Sequence, residues 1–241
     1  MLIDHISKQT AVNLQIDEID ASILSVVDFI EKHLPEFSKK YASSNIKNEP
    51  CLTQKLTILL SRKSIKKNCL FFFHNEYMEN PENGNSPKID IGTITAQENI
   101  TIGTQTYSNE ESFFSIEAKI LSVSRKEREK EYLIGRFENE KYLNTGGVER
   151  VKKGIHADKL NYSSIIGYVI KHNFDYWHKT INLWIDALIK DNKKNEIAWN
   201  NADKLKKEYI KKDTAKFISK NSRNKKSAII LFHLWAHLQS S

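Results

Sequence analysis

Ser112-Phe113-Phe114-Ser115-Ile116-Glu117-Ala118-Lys119-Ile120-Leu121 is the stretch that decides how this chain is read. Side chains alternate along a strand, so Phe114, Ile116, Ala118 and Ile120 share one side while Phe113, Ser115, Glu117, Lys119 and Leu121 share the other. The first side is wholly apolar. The second sets an acid beside a lysine in apolar surroundings, which a purely structural strand avoids. The stretch therefore predicts a buried strand that carries a site. Upstream, Ser86-Pro87-Lys88-Ile89-Asp90-Ile91-Gly92 shows the same alternation, with Ile89 and Ile91 on one face and Lys88, Asp90 and Gly92 on the other.

If these two segments pair, Asp90 and Glu117 converge. Two close carboxylates repel, and the usual remedies are a bound hard cation or one raised pKa. A divalent metal held by Asp90 and Glu117 would polarise a phosphodiester and acidify a bound water, while Lys119 would orient that water or steady the developing charge. The chemistry implied is phosphodiester hydrolysis. The competing interpretation is an exposed structural sheet face, because Glu-x-Lys recurs by chance in a chain with 28% charged residues.

An acid on one strand followed by acid-x-Lys on the next resembles the PD-(D/E)xK nuclease superfamily, through Asp90, Glu117 and Lys119. The resemblance covers about residues 45 to 125, and it departs from the pattern in that Pro87 is separated from Asp90 by Lys88 and Ile89. It implies an α/β fold with a restriction-endonuclease-like core, a central mixed sheet flanked by helices. It also implies Mg2+, for which Mn2+ substitutes, and an endonuclease acting on DNA as an effector of bacterial anti-phage defence. Many members add an acid from a preceding helix. Glu49 fits that place, with Glu76 as its rival. An ATPase or other defence-system subunit, or a second copy of the chain, is the partner such a nuclease would need. The alternatives are a non-catalytic nucleic-acid-binding or assembly subunit of a defence complex, and an RNase on the same core.

The 241 residues suffice for one large domain, and the 39% apolar content, including 10% aromatic, excludes a wholly disordered chain. Net charge is +7, yet Lys190 to Lys226 contains 13 basic and 5 acidic residues, or +8, leaving −1 for the remainder. A basic C-terminal region suits a polyanion, and a solvated lysine face is the alternative. Cys51 and Cys69, the two cysteines, stand in no metal or disulfide spacing, which fits a reduced cytoplasm. Neither a cleavable leader nor a run of ~20 apolar residues is present, so no membrane is expected.

Along the chain, Ile19, Ile23, Val26, Val27, Ile30 and Leu34 predict an amphipathic helix over about 18 to 33, ended by Pro35. A second helix is predicted from Pro50 to about Arg62, then a strand from Leu70 to Phe73, a reversal around Asn83-Gly84, and a hairpin or loop over 97 to 111. Gly146 and Gly147, with Arg150, Lys152 and Lys153 and the nearby His156, form a candidate phosphate-contacting loop, against the plainer reading of a structural turn. Lys225 and Lys226 extend the candidate nucleic-acid contacts. Residues from about 160 to 220 are expected to form a helical elaboration, with one stripe running from Tyr168 to Leu188 and another from Ala198 to Tyr209. Residues 227 to 238 form a strand that closes the sheet. His233 and His237 are read as packing residues.

Overall fold

The computed structural model describes residues 19–42, 44, 46, 48–79, 86–122, 128–191, 197–224 and 226–239. Lys225 and the Asn83-Gly84 reversal fall outside them. Helix α1 (Ala21–Tyr41) opens on Asp20, whose side chain accepts the Ser22 N–H, and helix α2 (Glu49–Lys66) opens on Asn48, with Pro50 in the first turn where a missing N–H costs nothing. Strands β1 (Phe71–Met78) and β2 (Lys88–Thr95) follow, then the small hairpin of β3 (Asn99–Ile102) and β4 (Gln105–Ser108), and then β5 (Ser112–Leu121). A second hairpin, β6 (Arg136–Glu138) and β7 (Lys141–Leu143), leads into the short helix α3 (Gly147–Lys152). Strand β8 (Tyr162–Val169), helix α4 (Phe174–Lys190) and strands β9 (Lys206–Ile210), β10 (Thr214–Arg223) and β11 (Lys226–His237) complete the order.

Among the described residues, seven strands form one mixed sheet in the order β1-β2-β5-β8-β11-β10-β9. β5 and β11 each run parallel to β8, while the remaining pairs are antiparallel. Helices cover both faces. On one, Phe37 of α1 packs against Tyr168, and Thr53 of α2 accepts a hydrogen bond from the Tyr168 hydroxyl at 3.3 Å. On the other, Phe174 of α4 lies against Trp235, His178 stacks on Phe217 with ring centroids 4.7 Å apart, and α3 approaches Lys119. A strand buried on both faces reads as a near-continuous apolar run, and the β11 segment Ile229 to Ala236 is buried throughout.

Four expectations need correction. Pro35 does not end α1, which continues to Tyr41 because Phe37 is fully buried and the Ser38 hydroxyl donates to the His237 carbonyl at 2.5 Å. The region 160 to 220 is not a helical elaboration, since β8, β9 and β10 lie within it. Tyr168 belongs to β8 rather than to the helix that bears Trp177 and Ile185, and Ala198 to Tyr209 spans a 3-10 turn (Asn201–Asp203) and β9. The β11 strand does not close the sheet: it sits inside it, between β8 and β10. No helix among the described residues is long and apolar enough to cross a membrane.

Candidate active site

The site forms where β5 parts from β2. Register runs Gly92 to Ser115 and Ile91 to Ile116 and ends there, one step before Asp90 and Glu117. Beyond Ile116, carboxylates stand in for the missing ladder. The Ala118 N–H donates to Asp90 Oδ2 at 2.7 Å, and the Ile120 N–H donates to Glu49 Oε2 at 2.9 Å. Two acids, one from β2 and one from the first turn of α2, thus satisfy alternate amides of β5. Such charge-assisted bonds are worth roughly 1.5–3 kcal/mol each. Between those amides, Glu117 and Lys119 project together. Lys119 Nζ lies 2.8 Å from Glu117 Oε1 and 3.4 Å from Glu49 Oε1. The four residues expected to meet, Asp90, Glu117, Lys119 and Glu49, do meet. Glu76 stands apart, with φ near 50° and its exposed carboxylate 3.9 Å from Lys88.

Burial raises the Asp90 carboxyl to about 7, with the neighbouring charge of Glu117 adding to it, against the opposing pull of Lys119 and the Ala118 N–H. For Glu117, burial alone would raise the pKa, yet the combined fields of Lys119, His156 and Arg150 hold it down at about 2. Burial would lower Lys119, but Glu117, Glu49 and Asp90 outweigh it and push its pKa upward, so the ammonium is a permanent donor and cannot act as a base.

Three further residues join this group: Arg150 and His156, expected instead in a phosphate-contacting loop, and Glu79, which the sequence did not mark. Arg150 of α3 donates from one guanidinium nitrogen to Glu117 Oε1 at 3.0 Å. The buried His156 has Nε2 3.7 Å from Glu117 Oε2 and Nδ1 3.7 Å from Glu79 Oε2. Glu79 in turn accepts from the Ser115 hydroxyl at 2.9 Å and from the Ala157 N–H at 2.9 Å. Ser115 lies on the same face of β5 as Glu117. Glu117 Oε2, both ring nitrogens of His156 and Arg150 Nε are buried without a hydrogen-bond partner among the described residues. Orphaned polar atoms are rare in protein interiors, and four in one cluster mark a place built for something more than packing.

The candidate phosphate loop is corrected in three respects. Its backbone amides are engaged: Gly147, Val148 and Glu149 donate to the carbonyls of Glu131, Tyr132 and Leu133. Gly146 is needed for close approach rather than for an unusual backbone angle, since its φ is −70° and a Cβ there would lie 2.2 Å from the Ile134 carbonyl carbon. Lys152 is buried, with Nζ 2.6 Å from Asp203 Oδ1 and over the Trp199 ring, so it cannot reach a bound strand. Lys153 lies 3.1 Å from Glu149 and 2.9 Å from Asn144 Oδ1, while Lys226 is paired with Asp158. His233 packs in the interior, between the Tyr132 hydroxyl at 2.7 Å and the Ser219 hydroxyl at 2.8 Å.

The residues able to hold a hard cation are Asp90 and Glu117. Among the described residues, no three His, Cys, Asp or Glu side chains form a ready cage. Mg2+ does not require one, since it is commonly held by one or two carboxylates together with water and substrate phosphate. The fit rests on the neighbouring carboxylates and on the buried Oε2 of Glu117, which has no hydrogen-bond partner among the described residues; burial, with the nearby charge of Glu117 second, raises the Asp90 carboxyl. No protein-family model matches the chain, and it matches no curated protein and no solved structure.

Proposed function

We propose that this chain is a Mg2+-dependent nuclease hydrolysing DNA phosphodiester bonds, with a restriction-endonuclease-like core formed by α2, β1, β2 and β5. The observation that carries this reading is the meeting of Asp90, Glu117, Lys119 and Glu49 at the point where β2 and β5 separate. Helix, strand, strand, strand is also the order that such a core requires, with the β3–β4 hairpin inserted before the acid-x-Lys strand.

Asp90 and Glu117 would hold the cation, which supplies polarisation of the phosphodiester and a water that is nucleophilic at neutral pH. The remaining work belongs to the side chains. Lys119, held charged by its three acidic neighbours, donates hydrogen bonds to the negative charge that grows on the phosphate. Glu49 gives the ammonium a second carboxylate partner besides Glu117, which limits the directions open to its remaining N–H. Asp90, near 7, is poised to lose its proton as a cation arrives.

A non-catalytic nucleic-acid-binding or assembly subunit is the second reading, favoured by one observation: Glu117 Oε1 already lies against both Lys119 and Arg150. Incubation of the purified protein with plasmid DNA in Mg2+ or Mn2+ separates the two. Cleavage that falls at least ~100-fold in Glu117→Ala and Lys119→Ala is expected. Intact plasmid under all conditions with the unsubstituted protein would sink the nuclease reading. RNA of equal length, degraded in the same buffer while DNA survives, would reassign the substrate to RNA.

A further inference from the structure

We propose that Arg150 couples nucleic-acid binding to cation binding: in the free protein its guanidinium holds Glu117, and a backbone phosphate of the nucleic acid draws it away. This rests on the reading of Asp90 and Glu117 as the cation-holding pair. Three positively charged or protonatable groups surround Glu117, namely Lys119, His156 and Arg150. Their access to solvent differs. The side chain of Arg150 is 23% exposed, against 10% for Lys119 and 2% for His156. Of the three, Arg150 is the most open to a ligand arriving from outside.

Its present bonding is incomplete. A guanidinium offers five N–H groups in a planar fork, suited to two oxygens of one phosphate. Arg150 gives one bond to Glu117 Oε1 at 3.0 Å, and its Nε is buried without an acceptor among the described residues. A phosphate oxygen is a stronger partner for a fork than a carboxylate that Lys119 already serves at 2.8 Å. The helix that carries Arg150 stays in place during such an exchange, because both neighbours in the turn are anchored. Glu149 accepts from the Gly135 N–H at 2.7 Å and the Tyr142 hydroxyl at 2.6 Å, and Lys152 is paired to Asp203. The motion is therefore one of a side chain.

Charge gives the coupling its direction. Once Asp90 has given up its proton to an arriving cation, Asp90, Glu117 and Glu49 contribute −3 and, with Arg150 still in place, Lys119 and Arg150 contribute +2, for a local −1. With Arg150 withdrawn to a phosphate the balance is −2, which matches a divalent cation. Lys119 and His156 remain to keep Glu117 oriented. A strand then tightens cation binding, and by linkage the cation tightens strand binding by the same factor. The free protein is guarded against loading metal without substrate.

The test is Mn2+ binding, followed by the electron paramagnetic resonance of free Mn2+, with and without a short DNA duplex whose phosphates are replaced by slowly hydrolysed phosphorothioates. Without DNA, Arg150→Gln is expected to bind Mn2+ about tenfold more tightly than the unsubstituted protein, a typical coupling magnitude. The duplex should tighten Mn2+ binding by about tenfold in the unsubstituted protein and leave Arg150→Gln nearly unchanged. Arg150→Lys, which keeps the charge and loses the fork, should bind Mn2+ as weakly as the unsubstituted protein without DNA and respond less to the duplex. Equal Mn2+ affinity in Arg150→Gln and the unsubstituted protein without DNA, with thermal melting showing both folded, overturns the coupling alone. Mn2+ binding in neither protein, with or without duplex, overturns the cation reading of Asp90 and Glu117 and the coupling together.

Discussion

At the scale of single residues, the two neighbouring acids titrate in opposite senses, and the consequences for stability can be separated. Asp90 rises in the fold from an ordinary 3.8 to about 7, so between those values the folded chain holds a proton that the unfolded chain has shed. Stability from this group is complete below pH 3.8 and is lost as pH climbs through 7. Asp90→Asn keeps an acceptor for the Ala118 N–H and removes the buried charge. It is expected to raise stability at pH 8 by about 2 kcal/mol, or roughly 5 °C in melting temperature, with the gain vanishing near pH 4. Thermal melting across pH checks this, and a gain independent of pH would contradict it. Glu117 behaves in reverse: its contribution stands above 4.5 and is lost as pH falls through about 2. Asp90, Glu117, Lys119 and Glu49 were legible because strand alternation and a helix start place them with little help from the rest of the molecule. Glu79 was not, and neither was the place of His156 beside Glu117. Each lies in an irregular segment, and their roles arise only when Ala157 and Ser115 bring those segments together.

At the scale of elements, α3 shows how little charge spacing says about direction. Arg150, Lys152 and Lys153 read alike along the chain, yet one enters the acid cluster, one is sealed against Asp203, and one pairs with Glu149 and Asn144 near the surface. Lys152→Ala leaves Asp203 buried and unpaired, and is expected to cost about 3–5 kcal/mol in chemical denaturation. Lys226→Ala, breaking a half-exposed pair with Asp158, is expected to cost less than ~1 kcal/mol. Gly146→Ala forces a Cβ into the Ile134 backbone and should detach the start of α3, lowering stability by roughly 1–3 kcal/mol. The misreading of β8 can be traced to helical phase. Tyr168 is six and nine residues from Phe174 and Trp177, off their helical face, and the break at His172, with φ of 60°, and the Asn173 cap mark where strand gives way to helix. β9 was hidden for another reason: as an edge strand it is mostly exposed, so apolar alternation is weak and lysines dominate.

At the scale of the whole molecule, the basic excess and the acid cluster occupy different parts of the sheet. Lys206 and Lys207 on β9, with Lys211 and Lys212 just after it, are exposed at one edge, four strands from β5. At a strand spacing of ~4.8 Å that is about 19 Å, a distance a bound duplex would span. Replacing these four lysines by Gln is expected to reduce the slope of log K against log salt by roughly 3–4, while cleavage at saturating DNA is preserved. An unchanged slope accompanied by self-association would assign the lysines to protection of an open sheet edge instead. The interior position of β11 carries a consequence for biosynthesis. β8 gains its second neighbour only from residues 226–237, so while the nascent polypeptide is still emerging from the ribosome the sheet stays divided, and the half that bears the acids must wait, exposed to chaperones and proteases, for the segment that joins it to the other half.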